Sequence, residues 1–395
     1  MLKRILCAAV AAGGLFLAGS ASAQELKIAL IAGKTGFLEA YAKETETGFM
    51  MGLEYLTAGK MEINGRKIKV LVKDDQNKPD VAKAVLAEAY ADDKVDLAVG
   101  TTFSAAALAM LPVAEEYKKV LLVEPAVADD ITGSKWNRYV FRTGRSSSQD
   151  AIAGAYTLAG DVTIATLAQD YAFGRDGIKA YKEALAKANP GARIVHEEYV
   201  ATTTTDFTAP AQRLFDALKD KPGRKVIVMV WAGAHPMAKI ADLKPERFGI
   251  ELAPGGNILP VMKGWKNYPG VEGSIYYYYA FPKNKMNDWL VAEHQKRFKS
   301  PPDFFTAGGF AAASAVLTAI GKAKSTETEK LIAAMEGMDF DTPKGKMSFR
   351  KEDHQAMQNM YHFRIKKAQA DEWDLLELVR EIPAAGLPVP VRNKR

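Results

Sequence analysis

Short apolar runs alternate with stretches of helical period through the first third of the chain. Strands are predicted for the apolar runs at 26–31, 68–72, 96–99 and 120–123, with helices between them. Asn64-Gly65, between two isoleucine-containing segments, is a strong signal for a two-residue hairpin turn. Because strands that alternate with helices form parallel sheets with right-handed crossovers, this part of the chain predicts a doubly wound α/β domain.

The same alternation starts again after Arg142-Thr143-Gly144, which follows an apolar run. Further strands are predicted at 162–167, 194–200, 226–230, 258–261 and 275–279. Two series of similar length predict an α/β fold of two doubly wound, parallel-sheet lobes that face each other. Ligands of such sheets bind beyond the carboxyl ends of the strands, so both sets of loops would line one cleft.

The first 23 residues have the pattern of a secretory signal peptide. A basic pair precedes an apolar run over 5–18, and an A-x-A cleavage site ends at Ala23. Cleavage would leave Gln24 as the first residue and remove Cys7, the only cysteine. We therefore expect an exported protein, with the signal peptide over 1–23 removed, that has neither disulfides nor a lipid anchor.

The mature chain of about 370 residues is long enough for two domains of ordinary size. Loss of two basic residues with the signal peptide lowers the formal net charge from +6 to +4. This excess is too small and too dispersed to predict a nucleic-acid partner. No later run of about 18 apolar residues is found, so no membrane span is expected.

Hydroxyl residues fill the loop between the strand at 96–99 and an alanine-rich helix expected from Ala105. They are Thr101, Thr102 and Ser104. A helix that begins in such a loop presents unpaired backbone N–H groups and the positive end of its dipole, an arrangement that suits a small carboxylate. The alternative is that Thr102 or Ser104 only caps the helix.

Seven stretches of the chain carry a family resemblance. They are KIALIAGKTG, INGRKIKVLVKDDQNKP, VDLAVGTTFSAAALAMLPVAEEY, YVFRTGRSSSQD, YAFGRDG, TTTTDFTA and FDTPKGKMSFR. In this order, between about Leu26 and Arg364, the chain resembles the periplasmic leucine/isoleucine/valine-type solute-binding proteins of ABC transporters. The resemblance implies a type I periplasmic binding fold that closes over a small carboxylate and delivers it to an ABC permease in the inner membrane. A monomer is expected, with no cofactor and no metal.

The resemblance also implies a hinge of three chain segments. These crossings would lie near Arg142-Thr143, near 279–281 and near 341–350. The first lobe would comprise 24–143 and 279–345, and the second lobe 144–278 and 346–395.

The family's solute contacts are carried over residue by residue. The implied ligand-binding residues are Thr101, Thr102, Ser104, Glu124, Ala126, Tyr171, Phe173, Trp231, His235, Tyr279 and Phe281. After the strand at 120–123 the family shows a Ser-Pro-x-Ala-Thr motif, whose serine is Glu124 in this chain and whose threonine hydroxyl is missing. Alternation along the strand predicted at 275–279 would direct only two of its tyrosines toward the cleft.

A departure from the family pattern concerns the ligand's ammonium group. Amino-acid binders of the family hold it with an acidic residue, but the corresponding stretch 259–264, LPVMKG, contains none. Burying an ammonium without a counter-charge costs several kcal/mol. With so many aromatic residues in the candidate loops, this favours an aromatic carboxylic acid of benzoate or phenylpropenoate type. The alternative is a branched-chain or other hydrophobic amino acid, with its ammonium held by Glu124 or Asp170.

Catalytic motifs are absent from the sequence. It contains no G-x-S-x-G, no H-E-x-x-H, no P-loop and no G-x-G-x-x-G after a strand. The five histidines are scattered and none has metal-ligand spacing. Asp74-Asp75 resembles a structural pair of the family rather than an acid/base dyad. The sequence thus predicts a binding protein and not an enzyme, with an exported enzyme of unrecognised site as the competing class.

Overall fold

The computed structural model describes residues 25–394. The signal peptide expected at 1–23 lies outside these residues. The strands are β1 Leu26–Ala32, β2 Glu62–Ile63, β3 Arg66–Asp74, β4 Leu97–Val99, β5 Leu121–Val123, β6 Val140–Arg142, β7 Val162–Gln169, β8 Arg193–Val200, β9 Arg224–Val230, β10 Ile250–Pro254, β11 Glu272–Ile275, β12 Asp339–Thr342, β13 Gly345–Phe349, β14 Ala356–Met357, β15 Met360–Ile365 and β16 Leu376–Ile382. The helices are α1 Glu39–Leu56, α2 Pro79–Ala91, α3 Ser104–Tyr117, α4 Ser147–Ala155, α5 Ala172–Ala188, α6 Thr208–Leu218, α7 Met237–Ala241, α8 Leu259–Lys263, α9 Lys285–Phe298, α10 Phe304–Ala323 and α11 Thr328–Met335. Short 3-10 turns occur at Asp129–Ile131, Pro245–Phe248, Gly264–Asn267 and Ala384–Gly386.

The first sheet has six strands in the order β2-β3-β1-β4-β5-β6. From β3 to β6 all neighbours are parallel, which confirms the predicted doubly wound sheet. Only β2 is antiparallel, and it forms the predicted hairpin with β3. The turn residues Asn64 and Gly65 both have positive φ, 51° and 75°, as a two-residue hairpin turn requires.

The second sheet has four parallel strands in the order β10-β9-β7-β8, which confirms the second predicted series. Two of the strands predicted for it were wrong. The run at 258–261 forms the helix α8, because Pro260 is well placed in a first helical turn and would break a strand ladder. The run at 275–279 adds no strand to this sheet. β11 ends at Ile275 and pairs antiparallel with β15, and the next three tyrosines are all buried.

Two antiparallel three-stranded sheets complete the fold, in the orders β11-β15-β16 and β12-β13-β14. Buried Met347, Phe349 and Ala356 belong to the hydrophobic core around the first sheet. Met360 and Phe363 belong to the core around the second sheet. We therefore propose that the chain re-enters the second lobe after Ala356, later than the boundary at 345 that the resemblance implies.

Buried Arg142 holds two of the crossing segments side by side. Its Nε donates to Gln355 Oε1 at 2.5 Å, and its terminal amino groups donate to Ala128 O at 2.6 Å and Thr132 Oγ1 at 2.7 Å. Gln355 Nε2 in turn donates to the carbonyl oxygen of Gly144 at 2.8 Å. The chain that leaves β6 is thus fixed to the segment before β14.

The apolar helix α10 is a core helix. Among residues 25–394 it is the one helix long and apolar enough to cross a membrane, and 89% of its apolar window is buried inside the protein. It crosses α1 at very short range: a Cβ at Gly48 would overlap the carbonyl oxygen of Thr306, and a Cβ at Gly309 would overlap that of Thr45. Close packing against α1 therefore explains its many small residues.

Candidate functional site

A cavity lies between the two lobes, beyond the carboxyl ends of both parallel sheets. Its first part is lined from the first lobe by residues that follow β4 and β5. Its second part extends into the second lobe. Both parts share the lining residues Arg145, Phe173, Trp231, Gly256 and Phe304. The two parts are therefore adjoining regions of one cleft.

Aromatic side chains form most of the cleft's wall. The rings that line it are Tyr41, Tyr171, Phe173, Tyr181, Trp231, Tyr276, Phe304 and Phe305. Tyr41 and Phe305 lie 4.3 Å apart between ring centroids, and Tyr276 and Phe304 lie 4.9 Å apart. Such a wall presents a large apolar surface with little rotational freedom to a ring-containing ligand.

The Tyr41 hydroxyl joins the lobes across the cleft. It accepts a hydrogen bond from the Gly233 backbone N–H at 2.7 Å and donates to Asn257 Oδ1 at 2.7 Å. Tyr41 belongs to α1 of the first lobe, whereas Gly233 and Asn257 follow strands β9 and β10 of the second. Burial raises the pKa of the Tyr41 phenol, so it remains a hydrogen-bond donor at any physiological pH.

An aromatic cluster closes one side of the cleft. Phe37 and Phe103 of the first lobe lie 5.6 Å apart, and Tyr171 of the second lobe lies 4.9 Å from Phe103. Tyr171 also lies 5.8 Å from Phe173 on the cleft wall. With the Tyr41 hydrogen bonds, these contacts hold the two lobes together in a closed arrangement.

The structure places five of the eleven predicted ligand-binding residues in the cleft lining. They are Thr102, Ser104, Tyr171, Phe173 and Trp231. The remaining six do not line it. They are Thr101, Glu124, Ala126, His235, Tyr279 and Phe281.

Hydroxyl groups of the 101–104 loop hold the loop itself together. Thr101 Oγ1 donates to Asp75 Oδ2 and accepts from the Thr102 N–H at 2.6 Å. Ser104 Oγ accepts from the backbone N–H groups of Val127 and Ala128, both at 3.3 Å. Of the three hydroxyl groups expected to hold a carboxylate, Thr101 is thus engaged with Asp75. Thr102 and Ser104 line the cleft at the first turn of α3, and Ser104 keeps its O–H as a donor because both of its bonds are accepted ones.

Glu124 lies behind the cleft wall, buried against α10. A Cβ at Gly308 would overlap its Oε1, and its Oε2 hydrogen-bonds to none of the described residues. Burial raises the pKa of its carboxyl, against the pull of the Lys344 ammonium. The neighbouring Ala126 uses its N–H to bond the carbonyl oxygen of Thr101 at 3.1 Å.

Three more of the predicted ligand-binding residues contact other protein groups and not the cleft. They are His235, Tyr279 and Phe281. His235 Nδ1 accepts from the Met237 N–H at 3.2 Å, and burial lowers the pKa of its imidazole to about 3. Tyr279 and Phe281 both pack on the ring of Tyr278, at 4.6 and 4.9 Å between ring centroids. Their sequence positions near the crossing do not bring them to the cleft.

Asp170, expected as one alternative partner of a ligand's ammonium, and the lysine of the 259–264 stretch both form ion pairs outside the cleft. Asp170 pairs with Arg175 at 2.7 Å. Lys263 pairs with Glu372 at 2.6 Å and lies over the ring of Trp373. Asp170 is therefore in no position to meet an ammonium inside the cleft, and Lys263 adds no charge there.

An ion pair that the sequence did not lead us to expect lies inside the cleft. Arg145 Nε donates to both carboxylate oxygens of Asp150, each at 3.1 Å, and both residues line the second part of the cleft. The pair sits at the start of α4, whose N-terminus is closed by a capping box between Ser146 and Gln149. A basic residue directly before this helix and an acid in its first turn were the available signals.

Comparisons with known proteins agree with this architecture. The model of the family described as periplasmic binding protein matches residues 25–370. The leucine-, isoleucine-, valine-, threonine-, and alanine-binding protein of Pseudomonas aeruginosa is 27% identical over 360 residues, which cover 88% of this chain and 91% of that protein.

Solved structures show the same likeness. An ABC-type branched-chain amino acid transporter from Rhodopseudomonas palustris is 67% identical, with a TM-score of 0.83, and the match covers 94% of this chain and 100% of that one. A solute-binding protein of an ABC transporter from Rhodopseudomonas palustris BisB5, in complex with 3,4-dihydroxybenzoic acid, is 28% identical, with a TM-score of 0.78 and coverage of 92% and 99%.

Proposed function

The chain belongs to the periplasmic binding protein family of ABC-transporter solute-binding components, and we propose that its solute is a small aromatic carboxylic acid of benzoate or phenylpropenoate type. The observation that carries the proposal is the aromatic wall of the inter-lobe cleft. Burial of a benzene ring of 150 Å² or more contributes roughly 4 kcal/mol at ~25 cal/mol per Å², before ordering costs.

The charges in the cleft also favour an acid without an ammonium group. Asp150 is the one acidic residue among the described lining residues, and Arg145 already neutralises it. An amino acid would have to bury its ammonium against this occupied carboxylate, which costs several kcal/mol. A simple carboxylate avoids that cost. The 28% identical relative in complex with 3,4-dihydroxybenzoic acid supports the same ligand class.

A hydrophobic amino acid is the second candidate. Asp150 supports it, because a rearranged Arg145 would free this carboxylate for an ammonium. The Pseudomonas aeruginosa relative, a binding protein for leucine and other amino acids, supports it as well. The two candidates differ in one testable respect, which is the effect of the ammonium group on affinity.

Capture would proceed by closure of the lobes about the hinge. The Tyr41 hydrogen bonds and the Phe37–Phe103–Tyr171 cluster join residues of different lobes, so they form only on closure. A ligand that contacts both lobes would shift the population toward this closed form. We propose that the periplasmic protein acts as a monomer and presents this form to its inner-membrane permease.

A ligand screen with product analysis tests the proposal. Benzoate, cinnamate, 3-phenylpropanoate, leucine, isoleucine and valine are each added to the mature protein in a thermal-shift assay, and bound compounds are recovered by denaturation and identified by mass spectrometry. We expect aromatic acids to raise the melting temperature and to be recovered unchanged. Stabilisation by leucine alone would contradict the proposed ligand class, and a converted product would support an enzyme instead.

A further inference from the structure

Arg145 is held rigidly inside the cleft. Its Nε is fixed by two hydrogen bonds to Asp150, and its guanidinium lies 4.7 Å from the ring centroid of Tyr276 and 5.9 Å from that of Phe304. Only 13% of its side chain is exposed. A guanidinium fixed by a carboxylate and two rings is pre-organised, so little further entropy is lost when a ligand binds to it.

The opposite edge of this guanidinium is unused. Nη1 and Nη2 of Arg145 hydrogen-bond to none of residues 25–394, although Arg145 lines both parts of the cleft. The two terminal amino groups of an arginine match the two oxygens of a carboxylate in a bidentate arrangement. By contrast, each side-chain nitrogen of the buried Arg142 donates to a protein oxygen.

We propose that the terminal amino groups of Arg145 anchor the solute's carboxylate, an inference that rests on the proposed function and deepens it. The loop at 101–104 offers less, because Thr101 donates its hydroxyl to Asp75 and the cleft receives only the uncharged O–H donors of Thr102 and Ser104. Asp150 is then a positioning residue, which orients Arg145 and reaches the solute only through it.

The surroundings of Arg145 suit an added negative charge. The Tyr276 hydroxyl is buried beside it, lines the cleft and hydrogen-bonds to none of the described residues, so it is a second available donor. The Lys344 ammonium lies 5.1 Å from the Tyr276 ring centroid. Burial raises the pKa of the Glu124 carboxyl, against the pull of the Lys344 ammonium.

The test compares an acid with its neutral amide in matched variants. Isothermal titration calorimetry measures 3-phenylpropanoate and 3-phenylpropanamide, and leucine and leucinamide, against the wild type, Arg145→Met and Arg145→Met/Asp150→Asn. The double variant removes the ion pair as a unit and so leaves no unpaired buried carboxyl. Arg175→Met removes a surface arginine of the same lobe as a control for net charge, and Thr102→Val tests the competing anchor at α3.

We expect the wild type to prefer the acid to its amide by roughly 100-fold, since charge-assisted hydrogen bonds are strong, and the double variant to prefer it less than about 5-fold. The Arg175→Met preference should equal that of the wild type. A preference that survives in the double variant but disappears in Thr102→Val would overturn the Arg145 assignment and leave the proposed function intact. If leucine, not the aromatic acid, binds and depends on Arg145, the anchor stands and the proposed ligand class fails.

Discussion

At the residue scale, buried polar groups near the cleft stabilise the loops that form it. Thr101 is fully buried between Asp75 and the backbone of Thr102, while the adjacent Thr102 side chain lines the cleft. The two neighbouring threonines therefore differ in role. Thr101 stabilises the protein interior, and Thr102 faces the cleft.

Thr101→Val is expected to lower the free energy of unfolding by roughly 1–3 kcal/mol, because it leaves the buried Asp75 carboxyl without its hydroxyl partner. Burial already raises the pKa of Asp75, and loss of the bond would raise it further. Urea unfolding at pH 7 measures the effect. Thr102→Val serves as the matched control and should change stability by less than about 0.5 kcal/mol; equal losses in both variants would contradict this division of roles.

A pair of carboxyl groups between the lobes should make stability depend on pH. Asp176 of α5 accepts a bond from the backbone N–H of Asp129, and burial, with the Asp129 charge, raises the pKa of Asp176 from 3.8 to about 6. The folded state therefore binds the proton more tightly than the unfolded state, so this group's contribution to stability falls as pH rises from about 4 to 6.

Asp176→Asn keeps the acceptor and removes the titration. Denaturant unfolding between pH 4 and 7 measures the free energy of unfolding of both proteins. Relative to the wild type, the free energy of unfolding of the variant should increase by roughly 1–3 kcal/mol as pH rises through this window. Asp170→Asn, on an exposed acid of the same lobe, is the control. Parallel stability curves for Asp176→Asn and the wild type would show that the Asp176 carboxyl is not perturbed.

At the scale of elements, the crossing of α1 and α10 joins the wall of the cleft to the first lobe's core. Tyr41 extends from α1 and Phe304 and Phe305 from the start of α10, so the spacing of the two helices sets the positions of three lining rings. Glycines at the crossing allow this spacing.

Gly309→Ala is expected to destabilise the protein by more than about 2 kcal/mol, because its Cβ would overlap the Thr45 carbonyl and the helices would have to separate. Gly321→Ala on the same helix is the matched control. Apart from the backbone of its own helix and its chain neighbours, no described atom lies within 4 Å of a Cβ at that position, so the helix propensity of alanine should stabilise the protein by up to ~1 kcal/mol. Urea unfolding of both variants measures the difference; two stabilised variants would show that the crossing tolerates a Cβ.

Strands were predictable from the sequence where the apolar run was long and continuous. Buried parallel strands such as β7 and β9 appear in the sequence as continuous apolar runs and were identified. The four-residue run at 258–261 is also apolar but forms α8, because Pro260 suits a first helical turn and so short a run does not by itself distinguish a strand from a helix.

The residues that line the cleft also differ in how far the sequence pattern could place them. Trp231 directly follows β9, and Tyr171 and Phe173 lie between the end of β7 and the first turn of α5, so strand topology brought them to the cleft. Tyr41 and Phe305 lie on helices far apart in sequence, and their meeting depends on how α1 crosses α10. Such contacts are fixed by tertiary packing, which the pattern of one sequence does not encode locally.

At the scale of the whole molecule, the proposed mode of ligand binding depends on closure of the lobes. Tyr41→Phe removes both hydrogen bonds that its hydroxyl makes across the cleft and leaves the Gly233 N–H without this partner. We expect a roughly 10- to 100-fold loss of ligand affinity, with little change in the melting temperature of the ligand-free protein. Calorimetry and thermal unfolding measure the two quantities.

Tyr55→Phe is the control for that experiment. Tyr55 also belongs to α1, and its ring packs on Trp289 of α9, 4.9 Å away between ring centroids. Its hydroxyl takes no part in the contacts across the cleft, so affinity should stay at the wild-type value. Equal affinities for all three proteins would mean that the Tyr41 hydroxyl does not stabilise the closed form.

The most direct test of the account is a calorimetric comparison of 3-phenylpropanoate with L-phenylalanine. The two ligands share the ring and the carboxylate and differ by the ammonium group alone. In the cleft the one lining acid is already paired with Arg145, so an ammonium would be buried without a free counter-charge. We predict that 3-phenylpropanoate binds at micromolar concentration or better and that L-phenylalanine binds at least roughly 100-fold more weakly. Equal or tighter binding of L-phenylalanine would contradict the proposal that the cleft selects an aromatic carboxylic acid.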